Sequence, residues 1–347
     1  MSTIKTAVSS YGMSGKLFHA PFIHAHPGYE LHGIVERNKN ESRELYPESK
    51  LYRSYEELLW DKEVELVVVN TPVQSHFEYT KAALLAGKHV VLEKPATVHA
   101  HEIEELAALA DQHKKVLSVY QNRRYDGDYR ALKNVLNKGL LGDIKEVEFR
   151  YDRYRPSFGG KQHKEGDLPG AGGLHDIGSH IIDQALQLFG WPQAVFADIR
   201  TLRPDVTAND YFEILLYYPG FPVRLKGSVF VRESYPAYIL HGAKGSFLQQ
   251  RSDMQEQLLL AGVKPTVECW CPAPATPDGL LHTEVRGEVV KMPLTSMPGN
   301  YMGYYDDLLP ALKGEGVNPV PAGDAVKTMK IIDAAFKSAG EKKVINL

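Results

Sequence analysis

The stretch ELVVVN (residues 65–70) and its counterpart KHVVLE (residues 88–93) limit the fold more than any other feature of this chain. Both carry apolar side chains at consecutive positions. That suits a strand buried on both faces of a parallel sheet; a half-exposed strand would alternate apolar and polar residues. Similar runs lie at 3–9, 30–36 and 115–120. Helical stretches separate them. SHFEYTKAALLAG opens at Ser75, a capping residue type, and ends at Gly87, a residue suited to the position after a helix end. HAHEIEELAALADQHK spaces Ile103, Leu106, Ala107 and Ala110 as an amphipathic helix does. Alternating strand and helix predict right-handed βαβ units and a doubly wound Rossmann sheet, whose ligands sit at the carboxyl ends of the strands. The residues just after each strand are therefore where chemistry is expected.

The pattern changes near residue 121, so a first domain over 1–121 and a second over 122–347 are expected, which the length of 347 residues allows. A helix is predicted over about 127–138, ending at Gly139. DIKEVEFRYDRYRP puts Val147, Phe149 and Tyr151 on one side and Glu146, Glu148 and Arg150 on the other, as a half-buried strand does. AVFADIRTL, DYFEILLYY, VRLKGSVFVRE and AYILHGAKGSFLQQ follow with turn residues between them, which predicts an antiparallel or mixed sheet with one exposed face. The segment 253–298 is rich in Pro and Gly and reads as a long surface excursion. Helices over about 301–313 and 322–339 close the chain. At 43% apolar and 24% charged residues, the chain has enough apolar material for sizeable cores. A net charge of -3 supplies no general attraction to nucleic acid or an anionic membrane. There is no apolar run long enough for a transmembrane helix and no signal-peptide pattern. Cys269 and Cys271, flanking Trp270, read as reduced thiols, and a cytoplasmic protein is expected.

The segment AVSSYGMSGKLFHAP follows the first strand, where a dinucleotide loop would carry G-x-G-x-x-G. Ser10 replaces the first glycine. Gly12 and Gly15 fill the close-approach and helix-packing roles, and Ser14, beside Met13, has a hydroxyl that suits phosphate. Ser10 is expected to keep the tight turn with negative φ. Glu36 ends the second strand and suits a ribose 2′-OH, favouring NAD; its neighbour Arg37 suits a 2′-phosphate, favouring NADP. The residues leave both open. Thr71-Pro72 ends another strand, with His76 just behind. Glu93-Lys94-Pro95 ends HVVL and puts at the crevice a lysine whose pKa desolvation or a nearby cation would lower. In GAGGLHDIGSHIIDQALQLFG, a glycine-rich entry leads into a helix over 174–189. Asp176 and His180, four apart, share a face there, a natural acid–base pair. Asp183 and His175 add a metal-site reading, but no second ligand cluster supports it, so no metal is expected. His24, His26, His99 and His101 are expected to face solvent.

The motifs YGMSGKLFHAP, VVVNTPVQSHFEYTKAALLAGKHVVLEKP, SVYQNRRYDGD, YDRYRP and GGLHDIGSHIIDQALQLFG span nearly the whole chain. Jointly they resemble the Gfo/Idh/MocA oxidoreductases. In NRR, YRP and GSHIIDQ they look most like the NADP-linked scyllo-inositol dehydrogenase branch. The resemblance implies a Rossmann domain followed by an α/β domain with a large open, mostly antiparallel sheet. It implies NAD or NADP as cofactor and hydride transfer at a secondary alcohol of an inositol-like polyol or sugar. It assigns Lys94, Asp176 and His180 to catalysis. His180 would take the hydroxyl proton, Lys94 would polarise the oxygen and contact the nicotinamide ribose, and Asp176 would orient His180 or bind a hydroxyl. Cofactor contacts are expected from Gly12, Met13, Ser14, Gly15, Glu36, Arg37, Thr71, Pro72, His76, Glu93, Lys94 and Asn122. Substrate contacts are expected from Arg124, Tyr154 and His163, with Arg123 in the same cleft. Family members usually form homodimers or homotetramers through the second domain's sheet. Two departures stand out: Ser10, and SFGGKQHKEGD where that branch carries a tryptophan–arginine pattern, so that His163 or Lys164 takes the space. A non-enzymatic nucleotide sensor on the same scaffold is the alternative reading, against which the complete trio argues. A metal-dependent lyase or hydrolase on the Asp176–His180 face is the third.

Overall fold

The computed structural model describes residues 3–268 and 270–347. Six parallel strands form the first sheet: β1 (Ile4–Val8), β2 (Tyr29–Val35), β3 (Lys50–Tyr52), β4 (Leu66–Val69), β5 (His89–Leu92) and β6 (Leu117–Val119). Their spatial order is β3-β2-β1-β4-β5-β6, with the reversal between β1 and β4 that opens a ligand crevice. β4 is buried at every position, as its consecutive valines require. β3 escapes a pattern reading because it is only three residues long.

The second sheet has nine strands: β7 (Ile144–Arg150), β8 (Ala194–Arg200), β9 (Tyr211–Tyr218), β10 (Phe221–Ser228), β11 (Tyr238–Gly242), β12 (Gly245–Gln249), β13 (Gly279–Val285), β14 (Glu288–Leu294) and β15 (Ile345–Asn346). All pairings are antiparallel except β7 with β10. Along β7, Val147 and Phe149 are buried while Lys145 and Glu146 are exposed. The segment 253–298 is not merely a surface excursion. It contains the helix Gln255–Leu260 and the β13–β14 hairpin, which extends the sheet. Arg286 and Gly287 have φ of 54° and 83°. Positive φ at both central residues is what a type I′ hairpin turn needs.

The helices Ala100–Gln112 and Ala322–Glu341 pack together, and the latter also covers β8. The chain around Val320 returns to β6, where the Val119 N–H donates to the Val320 carbonyl at 3.0 Å. This ties the first sheet to the segment that leads into the Ala322–Glu341 helix, and Lys94, after β5, reaches Asp176 at the start of the 174–189 helix. His26 does not face solvent. It is buried, with Nε2 2.9 Å from Asp306 and Nδ1 accepting from the Gly28 N–H. His24, His99 and His101 are exposed. Cys271 is buried; Cys269 lies outside the described residues. No helix among the described residues is long and apolar enough to cross a membrane.

Candidate active site

The turn after β1 is held from beneath. Asn70 Nδ2 donates to the Ser10 carbonyl at 2.8 Å, and Ser9 Oγ donates to the Val68 carbonyl at 2.7 Å. Ser10 is not among the residues with positive φ, so the tight turn needs no glycine there. Gly15 is required for a different reason: a Cβ would sit 2.1 Å from the Ser10 oxygen. At Gly12 the nearest atom to a Cβ would be Ser10 Oγ at 3.6 Å, so this glycine leaves space that the protein itself does not fill. A helical turn, Gly15–His19, follows immediately, aiming N–H groups at that space. The loop therefore fits a dinucleotide pyrophosphate. Met13 is 47% exposed at its rim.

Glu93, at the end of β5, binds the loop. Its Oε1 accepts from Ser14 Oγ at 2.5 Å and from His19 Nε2 at 3.0 Å, while Oε2 accepts from the Lys94 N–H at 2.9 Å. Burial alone would raise its pKa; His19, Lys94 and Ser14 outweigh burial and hold it down to about 2. His19 is fully buried and completes the chain through Nδ1, 2.7 Å from the Tyr305 hydroxyl. Ser14 thus spends its hydroxyl on Glu93, leaving its backbone N–H for a phosphate. His19 escaped the sequence reading because it follows the motif on an apparently ordinary helix.

The reactive groups meet above this platform. Lys94 Nζ donates to the Asp176 carbonyl at 2.9 Å and to Asp176 Oδ1 at 3.1 Å. Lys164 Nζ donates to the same Oδ1 at 2.7 Å. Burial would raise the Asp176 pKa, but the two ammonium groups hold it well below the usual carboxylate range. His180 does not hydrogen-bond Asp176. Its Nδ1 is 3.0 Å from Gln121 Oε1, which accepts the ring N–H and leaves the Nε2 lone pair available. Burial, then Lys94 and Arg123, hold the His180 pKa well below the usual imidazole range. Residues Leu174–Gly178 form a π-helical turn before the α-helix Ser179–Phe189, and the Asp176 charge still acts on the His180 ring. Gln121 was missed because it is remote in sequence from His180; of the pair His163 or Lys164 expected in this space, Lys164 is the one that reaches Asp176.

Several expected contacts have other work. Glu36 is buried, and its carboxylate accepts from the Glu41 N–H at 3.2 Å, the Ser42 N–H at 2.9 Å and Ser42 Oγ at 2.5 Å. It is thus committed to the next chain segment. Arg37 beside it is exposed. His76 is buried, its ring spanning the Thr71 carbonyl at 2.8 Å and the Pro95 carbonyl at 2.9 Å, so it braces the two strand-end turns from behind. Thr71 and Pro72 follow β4, and Asn122 is buried after β6. Arg124 is clasped by Asp183 at 2.8 and 2.6 Å and by Asp324 at 3.0 Å, a structural network. Asp183 is thereby occupied, and His175 Nε2 turns to the Val98 carbonyl, 3.1 Å away, so the metal-ligand grouping does not assemble. Tyr154 is 43% exposed beneath the Arg232 guanidinium. His163 is exposed beside Lys164.

A Rossmann crevice with a pyrophosphate-shaped loop and a lysine–carboxylate–imidazole cluster defines an NAD(P)-binding oxidoreductase. Residues 4–121 match the oxidoreductase family with an NAD-binding Rossmann fold, and residues 129–248 match the GFO/IDH/MocA C-terminal domain. The chain belongs to the Gfo/Idh/MocA oxidoreductase family. It is 38% identical to the oxidoreductase YdgJ of Escherichia coli K12, with 99% of each chain covered. It is 37% identical to the scyllo-inositol 2-dehydrogenase (NADP(+)) IolW of Bacillus subtilis 168, covering 100% of this chain and 97% of that one. The crystal structure of an oxidoreductase from Bacteroides fragilis superposes with a TM-score of 0.91 at 42% identity, covering 100% of both chains.

Proposed function

We propose that this protein is an NADP-linked dehydrogenase of a secondary alcohol on a polyol or sugar. The observation that carries the reading is a neutral, oriented His180 imidazole in one cleft with the Lys94 ammonium, above the pyrophosphate loop. The nicotinamide, when bound, supplies the hydride acceptor. His180 Nε2 takes the hydroxyl proton. The Lys94 ammonium stabilises the oxygen as its charge develops. Asp176, anchored by Lys94 and Lys164, keeps the lysine in place and offers its remaining lone pairs to a substrate hydroxyl. The committed Glu36 carboxylate and the exposed Arg37 favour NADP over NAD, and the NADP(+)-linked name of the Bacillus subtilis relative agrees. The inositol-like substrate rests on that relative.

A homodimer or homotetramer through the nine-stranded sheet is supported by Phe196 and Leu215, neighbours on its outer face with incomplete cover. The deciding experiment is a paired titration with NADPH and NADH, followed by a polyol and sugar screen with the preferred coenzyme. Tight NADPH binding with turnover of a polyol supports the reading. Tight binding without turnover of any polyol or sugar favours a nucleotide sensor instead.

A further inference from the structure

Alternation along β7 does not stop at its last residue. Val147, Phe149 and Tyr151 face the interior, and Arg153 is next in that series. The backbone there is fixed. The Tyr151 N–H donates to the Lys226 carbonyl and the Arg153 N–H to the Ser228 carbonyl, both at 2.8 Å, continuing the parallel pairing with β10. Arg153 therefore belongs to the inner face, whereas Tyr154 turns to the opposite side.

Two of the surrounding arginines are held by carboxylates, and Arg251 donates to the Arg150 carbonyl at 3.0 Å. Arg123 bonds Glu256 at 2.5 Å and lies 3.5 Å from Asp126; Arg124 is held by Asp183 and Asp324. Arg153 is half-buried, rests 5.0 Å from the Tyr151 ring centroid, and makes no ion pair among the described residues. It shares the Tyr151 ring with Arg123 and Arg251, whose guanidinium groups lie 5.7 and 4.0 Å from the centroid, and its charge acts on Asp176 and on Glu256. Neither carboxylate bonds it: Asp176 takes Lys94 and Lys164, and Glu256 takes Arg123. Against the pull of burial, Arg123, Arg153 and Arg251 together lower the Tyr151 pKa, a sign of positive potential at this end of the cleft. A half-desolvated guanidinium with no partner is costly until an anion arrives, and its planar fork fits an oxyanion bidentately.

We propose that the substrate carries an oxyanion, a carboxylate or a phosphate ester, and that Arg153 binds it. The proposal rests on the dehydrogenase reading and narrows its substrate class from any polyol or sugar to an acidic one. The test is calorimetric titration of the NADP+-loaded protein with glucose, glucuronate and glucose 6-phosphate, which differ only at the sixth carbon. At least one anion should bind at least tenfold tighter than glucose, and the two arms separate carboxylate from phosphate. Arg153→Gln should erase the preference and Arg153→Lys should restore part of it, with retained NADP+ affinity as the check of folding. Failure of both anions to bind more tightly than glucose, or an equal loss for all three ligands in Arg153→Gln, overturns the proposal. Turnover is read separately. Anion preference without NADP+ reduction keeps the subsite and removes the dehydrogenase reading; reduction without anion preference does the reverse.

Discussion

Replacing Gly15 and Gly12 one at a time by alanine separates what the fold needs from what the coenzyme needs. At Gly15 the new Cβ would lie 2.1 Å from the Ser10 oxygen and 3.0 Å from Asn70 Nδ2. Ordinary contact begins near 3.4 Å, so the turn and the helix start must part by about 1.3 Å. Such overpacking costs about 1–3 kcal/mol, and disturbing the Asn70–Ser10 hydrogen bond adds about 1 kcal/mol. For a chain of 347 residues the unfolding entropy is about 0.7 kcal/mol per kelvin, so Tm should fall by about 3–5 °C. Helix-start N–H groups displaced by over 1 Å should also weaken NADPH binding at least tenfold. Gly12→Ala differs. Its Cβ meets nothing closer than 3.6 Å and its φ is not positive, so Tm of the coenzyme-free protein should hold or rise slightly. NADPH affinity should still fall tenfold or more, because the methyl group fills the space left for the pyrophosphate. Calorimetric melting and NADPH fluorescence titration read both. Unchanged NADPH affinity in Gly12→Ala would refute this placement of the phosphates. An unchanged Tm in Gly15→Ala would refute the packing argument.

Arg37→Ala should raise the Kd for NADPH about tenfold while leaving NADH within twofold, read by paired fluorescence titration; an equal change for both coenzymes would remove Arg37 from phosphate recognition. Gln121→Leu should lower kcat by on the order of 10–100-fold at nearly constant coenzyme affinity, because nothing then fixes the His180 tautomer. Lys164→Met removes one of three cations that depress Asp176, so the Asp176 pKa rises. A depressed carboxylate loses its ion-pair contribution as pH falls through its folded pKa. The acid-side decline of stability and of kcat/KM should therefore begin at higher pH than in the unaltered protein, as pH-dependent melting and rate profiles would show.

The parallel sheet is legible in the sequence because β4 and β5 are buried on both faces and leave no alternation to misread. The β13–β14 hairpin is not, since β14 has no buried residue and forms through backbone pairing and a two-residue turn. Its signal was Arg286-Gly287, a local conformational cue rather than a hydrophobic one. At the site, Lys94 stands out because a strand end places it. No direct Asp176–His180 hydrogen bond forms, because Asp176 takes Lys94 and Lys164 while His180 takes Gln121. Glu36 shows a different limit. Its position at a strand end is visible, but its commitment to Ser42, six residues on, depends on how the next segment folds back. Gln121 and Lys164 act on residues 59 and 12 positions away, contacts that only the folded chain creates.

The central claim is direct hydride exchange in the Lys94–His180 cleft. The measurement that tests it most directly starts from NADPH carrying deuterium at both C4 positions. With a carbonyl product identified in the coenzyme-preference screen, the deuterium should appear at the reduced carbon. Lys94→Met and His180→Asn should each cut the rate by at least a hundredfold with NADPH still bound. A reduced carbon without deuterium, or full activity in both variants, would contradict the account.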